Sequence, residues 1–110
     1  MRKPNKFRAQ KTEIDGIVFD SKMEARRYVE LKLLERAGDI SHLEMQPEYR
    51  CEINGKLVCK YKADFRYFTK TGRIVEDVKS KYTAKNPVYR IKKKLVEAIY
   101  RGTKIIEVQA

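Results

Sequence analysis

Residues 61–80 read YKADFRYFTKTGRIVEDVKS, and this stretch decides the fold. Apolar residues alternate with charged ones through its first part, which is the pattern of a strand with one buried face. The dipeptide Thr71-Gly72 is typical of a turn, and a second apolar segment follows it. We therefore predict two antiparallel strands, residues 57–68 and 74–79, joined by a two-residue turn. The predicted apolar face of the first strand consists of Tyr61, Ala63, Phe65 and Tyr67.

Pairing across this turn places two acidic residues and a lysine on one face. If Lys70 pairs with Arg73, Asp64 lies opposite Lys79. Because side chains alternate along a strand, Asp64, Asp77 and Lys79 then point to the same side. The two carboxylates become diagonal neighbours with backbones roughly 7–8 Å apart, which is close enough to converge on one cation.

Magnesium (Mg2+) is the ion expected at such a pair, because it takes oxygen ligands and keeps several waters. Manganese (Mn2+) is expected to substitute for it. An ammonium at Lys79 could position an attacking water or stabilise charge developing on a phosphate. The alternative is an ordinary cross-strand ion pair between Asp64 and Lys79. Glu76 falls on the opposite face with Phe65 and Val78, so we expect it to face a helix or solvent and not a metal.

The net charge of +11 comes from two blocks of sequence. Residues 1–11 and 79–94 hold twelve of the 26 basic residues and no acidic one, while the rest of the chain is almost neutral. Such blocks favour a surface that binds a polyanion, of which nucleic acid is the usual case. General solubilisation by a charged surface is the alternative.

No apolar run is longer than three residues, as in Ile17-Val18-Phe19, whereas a membrane-spanning helix needs about 20. The basic start of the chain has no apolar stretch behind it, which predicts no secretory signal. We therefore expect a cytoplasmic protein with no membrane partner.

Two cysteines and one histidine are too few for a structural zinc site. The hairpin turn Asn54-Gly55 puts Cys51 opposite Val58 and Cys59 opposite Arg50. In that register the two cysteines point to opposite faces, so we expect free thiols in a reducing cytosol.

The remaining sequence predicts a flexible basic arm over residues 1–12 and one domain over residues 13–110. Further predicted elements are helices at 21–37 and 87–101 and strands at 43–53 and 105–108. The predicted apolar stripe of the second helix is Val88, Ile91, Leu95, Ala98 and Ile99. The order helix, three antiparallel strands, helix, strand indicates an α/β (α+β) fold.

Glu24 has two competing interpretations. In Ser21-Lys22-Met23-Glu24 it completes a capping box, in which the glutamate bonds back to the start of the helix. It also shares a helical arc with the core candidates Tyr28 and Leu31, so it could reach toward the sheet.

The spacing of Asp64, twelve further residues and Asp77-Val78-Lys79 resembles the signature of the PD-(D/E)XK nuclease superfamily, with Ala63 in place of the signature proline. The order of elements is also similar to the core of that superfamily. The chain further resembles a family of small phage-encoded, endonuclease-like proteins in Gly16–Ala25, Gln46-Pro47, Tyr61–Phe65 and Glu76–Ser80.

This resemblance implies a restriction-endonuclease-like core, a central mixed sheet flanked by helices. It implies that Asp64, Asp77 and the carbonyl of Val78 bind the metal and that Lys79 handles the attacking water. Glu24 would match the acidic residue that several related resolvases place on the first helix, as a further metal ligand. The residues then expected near DNA are Lys3, Lys6, Arg8, Lys81, Thr83, Lys85, Arg90 and Lys93.

The function expected is a magnesium-dependent endodeoxyribonuclease that acts on branched or recombining DNA, as Holliday-junction resolvases do. If the protein is phage-encoded, it would act in the cytoplasm of the bacterial host. Symmetric cutting of two strands would require a homodimer. The alternatives are a non-catalytic nucleic-acid-binding module that keeps the fold, and a basic packaging or ribosome-associated protein. Both explain the charge, but neither explains two acids beside a lysine in a basic environment.

Overall fold

The computed structural model describes residues 10–109. Lys3, Lys6 and Arg8 lie outside the described residues, as does most of the arm predicted over residues 1–12. The first strand begins at Thr12, the last residue of the predicted arm.

The elements in chain order are β1 (Thr12–Ile14), β2 (Ile17–Phe19), α1 (Lys22–Arg36), β3 (Ser41–Met45), β4 (Glu48–Ile53), β5 (Lys56–Lys62), β6 (Phe65–Thr69), β7 (Gly72–Lys79), a short 3-10 helix (Thr83–Lys85), α2 (Pro87–Ile99) and β8 (Ile105–Gln109). The central sheet has the strand order β3-β6-β7-β8. Its first three strands are antiparallel, and β8 runs parallel to β7. The predicted α+β class and the mixed sheet are confirmed.

The central sheet separates two apolar clusters. On one side, α1 and the β1–β2 hairpin pack against Phe65 and Tyr67. On the other side, α2 and the β4–β5 hairpin pack against Val75 and Ile105. Both faces of β7 are therefore buried, which leaves little solvent for any charged side chain in its middle.

The two long strands predicted at 43–53 and 57–68 each break into two shorter ones. Proline cannot donate to a sheet ladder, and Gln46 before Pro47 has a positive φ of 55°. The second break, at Ala63-Asp64, is bonded to the first. Gln46 N–H donates to Asp64 O at 2.8 Å, and Ala63 N–H donates to Pro47 O at 3.0 Å.

The break at Asp64 redirects the chain, so the predicted single apolar face is wrong. Tyr61 and Ala63 pack in the α2-side cluster, whereas Phe65 and Tyr67 pack in the α1-side cluster. Alternation identified the buried residues correctly, but it could not show that a kink moves them between layers.

The predicted start of α1 is confirmed, since Ser21 caps it. The start of α2 is confirmed as well, because Asn86 Oδ1 accepts from the N–H groups of Val88 and Tyr89. The predicted apolar stripe of α2 is wrong except at Leu95, which packs against the α2-side cluster. Tyr89 and Val96 are its buried residues, while Val88 and Ile91 are each 61% exposed. The helix turns Tyr89 inward and is rotated by about one residue relative to the prediction, because the β4–β5 hairpin covers that side.

The hairpin register predicted for the cysteines is also wrong. Cys51 pairs directly with Cys59, because the register shifts between Cys51 and Glu52. One extra residue, Val58, stands on the β5 side of this bulge, and that insertion turns Cys59 to the same face as Cys51.

Candidate functional site

The break before β6 and the middle of β7 bring the two predicted aspartates together. The turn between β6 and β7 is Lys70-Thr71, so the register differs by two residues from the prediction. An even shift keeps the side chains of the paired residues, 65–69 and 72–76, on their predicted faces. The pairing begins at Phe65 and Glu76, so Asp64 lies just before β6, where its N–H donates to Glu76 O at 3.1 Å. The Asp64 carboxylate accepts the Val78 N–H at 2.7 Å.

Asp77 is a buried carboxylate, with 2% of its surface exposed. Its Oδ2 atom has no hydrogen-bond partner in the described part of the chain. Burial raises the pKa of Asp77 to about 7, although nearby Lys79 and the Asp64 N–H act in the opposite direction. An uncompensated carboxylate oxygen here is an acceptor for a cation or a proton.

Glu24 reaches the same region from the first turn of α1. Its N–H donates to Ser21 Oγ, and its Oε2 accepts from Asp20 N–H, each at 3.1 Å. Burial, together with a hydrogen bond to Asp64 and repulsion from its charge, raises the pKa of Glu24 to about 8. Glu24 therefore fixes the helix start and also contacts Asp64, while its role as a metal ligand stays a prediction.

A cavity of about 430 Å³ lies over Glu24 and Asp64. Its other lining residues are Val18, Asp20, Gln46, Lys62 and Ala63. Gln46 and Lys62 were not predicted as site residues. Their positions depend on the paired breaks, although Gln46-Pro47 was one of the stretches that carried the family resemblance.

The predicted metal ligands form a pair of carboxylates and not a larger cluster. Within residues 10–109, no three or more His, Cys, Asp or Glu side chains group closely enough to hold an ion. Asp64 and Asp77 remain two neighbouring oxygen donors, with the Val78 carbonyl on the same strand as Asp77. Such a pair fits magnesium, which usually binds one or two carboxylates and keeps waters. The buried, unpartnered oxygen of Asp77 is the observation that makes a cation suitable here.

Lys79 lies beside the aspartates but makes a different contact from the one predicted. No ion pair joins Lys79 to Asp64 within the described residues. Instead, Lys79 Nζ lies 4.1 Å from the centre of the Tyr89 ring. Burial and a hydrogen bond to Glu107 raise the pKa of Tyr89, so its hydroxyl stays a donor. Tyr89 and Glu107 were both missed, since their roles depend on the helix rotation and on the parallel register of β8.

The predicted DNA contacts of the second basic block converge on one surface. A cavity of about 430 Å³ is lined by Lys81, Lys85, Arg90 and Lys93, with Lys94 beside them. Glu97 and Glu107 also line it, so the cavity has a net positive charge. Ala84 and Gln109 complete the nine lining residues, and we call this site the basic cavity.

Thr83 lies apart from the basic cavity. Its hydroxyl accepts the Ser80 N–H at 2.9 Å and closes the turn after β7. It lines a separate cavity of about 410 Å³ together with Lys79, Lys62 and Tyr89. Thr83 therefore has a structural contact that the sequence did not indicate.

Glu76 is confirmed as a helix-facing residue. Its two carboxylate oxygens accept from Arg27 Nε and Nη2 at 2.8 Å, and Tyr67 donates a further hydrogen bond. This buried, fully bonded glutamate differs from Asp77 next to it, which points to the opposite face and lacks such partners.

Comparison with known protein families matches residues 4–109 to the family described as "Protein of unknown function (DUF1064)". The chain belongs to this family. The match covers the whole region that contains Glu24, Asp64, Asp77 and Lys79. No curated protein and no solved structure gives a match. In residues 10–109, no helix is long and apolar enough to cross a membrane.

Proposed function

We propose that this DUF1064 protein is a metal-dependent endodeoxyribonuclease built on a restriction-endonuclease-like core. The observation that carries the proposal is the buried Asp77 with its unpartnered Oδ2, together with the Asp64 carboxylate on the N–H of the next residue, Val78. Lys79 lies two residues after Asp77 on β7. The order α1, three antiparallel strands of the central sheet, α2, β8 agrees with the core that the sequence resemblance implies.

Electrostatics support a cation at this position. Carboxylates beside a basic surface repel phosphate unless a positive ion lies between them. Asp77 is desolvated and Glu24 shares a hydrogen bond with Asp64, so extra negative charge at the site is unfavourable. A divalent ion would remove that unfavourable charge and draw a phosphodiester toward it.

Each residue then has a distinct role. Asp64, Asp77 and the carbonyl of Val78 would hold the metal, which when bound would polarise the phosphoryl oxygen and stabilise the leaving oxygen. Lys79 holds its ammonium at the same face, where it orients the attacking water and offsets charge on the phosphate. Glu24, bonded to Asp64, fixes the orientation of that carboxylate.

The substrate class we propose is branched or recombining DNA. The basic cavity lies on the α2–β8 side, apart from the cavity over Glu24 and Asp64. Two separate stretches of the DNA backbone could therefore be held at once. Such spread-out phosphate contacts provide affinity without base specificity. Symmetric cleavage of two strands would require two copies of the chain.

Two observations favour the second candidate, a non-catalytic nucleic-acid-binding module. The described residues contain no group of three metal-ligating side chains, and Asp77 is almost completely buried. A basic cavity alone would still bind DNA.

A cleavage assay separates the two candidates. A four-way junction and a supercoiled plasmid are incubated with the wild type, Asp77→Asn or Asp39→Asn, with and without Mg2+. Asp39 is exposed after α1, so its variant is a control of equal charge change. We expect magnesium-dependent cleavage by the wild type and Asp39→Asn, and binding without cleavage by Asp77→Asn.

Two results would overturn the nuclease proposal. One is cleavage retained by Asp77→Asn. The other is binding without any cleavage by the wild type in Mg2+ or Mn2+, which would establish the binding module instead.

A further inference from the structure

The two cysteines of the chain face each other across the β4–β5 hairpin. Cys51 and Cys59 are direct partners in its antiparallel register. Direct partners have Cα atoms about 4.5 or 5.5 Å apart, depending on the type of pair. Both separations fall within the range of about 4.4–6.8 Å that a disulfide spans. The backbone therefore already holds these residues at bonding separation.

The pairing results from the bulge at Val58. With uninterrupted pairing from the turn, Cys51 would face Val58, and the two thiols would lie on opposite faces. Val58 is 55% exposed and contributes little to the core. The extra residue thus has one clear structural effect, which is to bring Cys59 to the inner face beside Cys51.

The two thiols differ in their exposure to solvent, which favours a reaction at one thiol before the other. Cys51 is completely buried beside Tyr49 and Tyr61, whereas Cys59 is half-buried at the edge of that cluster. Burial and a hydrogen bond to the Cys59 thiol raise the pKa of Cys51, while the charge of Lys92 lowers it. Both thiols are free in the structure. A reagent in solution therefore reaches Cys59 first.

We propose that Cys51 and Cys59 form a reversible intramolecular disulfide with a low-molecular-weight disulfide, such as oxidised glutathione, as oxidant. The Cys59 thiolate attacks one sulfur of the oxidant and releases one glutathione thiolate. The Cys51 thiolate then attacks Cys59 Sγ and releases the second glutathione. Two protein thiols are oxidised to one disulfide, and one oxidant disulfide is reduced to two thiols. The two protons lost by the protein thiols pass through solvent to the two glutathione thiolates.

The new disulfide would join β4 and β5 near two cavities, the one over Glu24 and Asp64 and the one beside Lys79. Lys62, three residues after Cys59, lines the cavity over Glu24 and Asp64 and also the cavity beside Lys79. A crosslink at this point restricts separation of β4 from β5 and holds the end of β5 in place. Formation of the disulfide does not require the proposed nuclease activity, so this inference does not depend on the proposed function.

The experiment uses the full chain with oxidised glutathione, followed by intact mass and peptide mapping. We expect the mass to fall by two hydrogen atoms, and we expect one peptide pair that links Cys51 to Cys59 and disappears with dithiothreitol. The oxidised form should have a Tm about 5 °C higher than the reduced form.

Single-cysteine variants test the order of the steps. Cys51→Ala should trap glutathione on Cys59, whereas Cys59→Ser should react far more slowly because Cys51 is buried. If Cys51→Ala fails to fold, peptide mapping of the oxidised wild type still shows whether Cys51 and Cys59 are linked. A wild type that stops at the glutathione adduct, forms only intermolecular dimers or does not react would overturn the proposal.

Discussion

Lys79 Nζ lies 4.1 Å from the centre of the Tyr89 ring, and the Tyr89 hydroxyl donates to Glu107 Oε2 at 2.7 Å. Glu107 is also the register partner of Asp77 across β7 and β8, and it lies 3.6 Å from Lys93 Nζ. One series of contacts therefore connects the proposed water-handling lysine, a buried aspartate and the wall of the basic cavity. Tyr89 is the centre of this series.

The first prediction concerns the two separable parts of Tyr89. Tyr89→Phe keeps the ring beneath Lys79 and removes the hydroxyl, whereas Tyr89→Leu removes both. A partly desolvated cation–π contact contributes about 1–2 kcal/mol, so we expect Tyr89→Leu to lower the cleavage rate at saturating junction roughly tenfold. Tyr89→Phe should lower it less.

Tyr49→Leu serves as the matched control for Tyr89→Leu. Tyr49 is buried in the same cluster but does not contact Lys79. Both leucine variants should lose similar unfolding free energy, and only Tyr89→Leu should lose rate. Equal losses of rate would mean that the ring supports the fold without positioning Lys79.

The second prediction follows from the raised pKa of Asp77. Its folded pKa of about 7 lies above the ordinary value of 3.8, so the folded state binds the proton more tightly than the unfolded chain. The metal-free protein should therefore lose stability as pH rises from about 4 to 7. Asp77→Asn removes the part of this loss that comes from Asp77, while the part from Glu24, whose pKa is raised to about 8, remains. At pH 8 the variant should be more stable than wild type by on the order of 2 kcal/mol.

Urea denaturation in EDTA at pH 4.5 and pH 8 measures this difference. Asp39→Asn, which changes an exposed carboxylate, should behave as the wild type at both values. If Asp77→Asn were destabilised at pH 8, the buried carboxylate would have an unrecognised partner, and the case for a cation there would weaken.

The sequence predicted the element order and both helix starts. Asp77 and Lys79 share a face because they lie two residues apart on β7, whereas the break before β6 interrupts the pairing that was predicted for Asp64. Features that depend on a single inserted or redirected residue could not be predicted. The bulge at Val58 and the paired breaks near Pro47 have weak local signals, since their geometry is fixed by contacts between distant segments.

The third prediction addresses the basic cavity. Arg90→Ala and Lys85→Ala should each weaken DNA binding and reduce the slope of log affinity against log salt by about 1, because each removes one phosphate contact. Their cleavage rate at saturating DNA should stay unchanged. Lys56→Ala, at the exposed tip of the β4–β5 hairpin, removes the same charge as Lys85→Ala away from the cavity. A change in slope as large for Lys56→Ala would mean that net charge alone governs binding.

The fourth prediction separates the adjacent acids Glu76 and Asp77. Glu76 accepts two hydrogen bonds from Arg27 at 2.8 Å, and both groups lie between α1 and the sheet. Glu76→Gln leaves the Arg27 charge without its buried partner, so we expect the unfolding free energy to fall by about 3 kcal/mol. Below its lowered melting temperature the variant should still cleave DNA, because Glu76 faces away from Asp64. Asp77→Asn should show the reverse result, with stability kept or raised in EDTA and cleavage lost. A stable Glu76→Gln protein without cleavage would assign the metal to Glu76 and contradict the site described above.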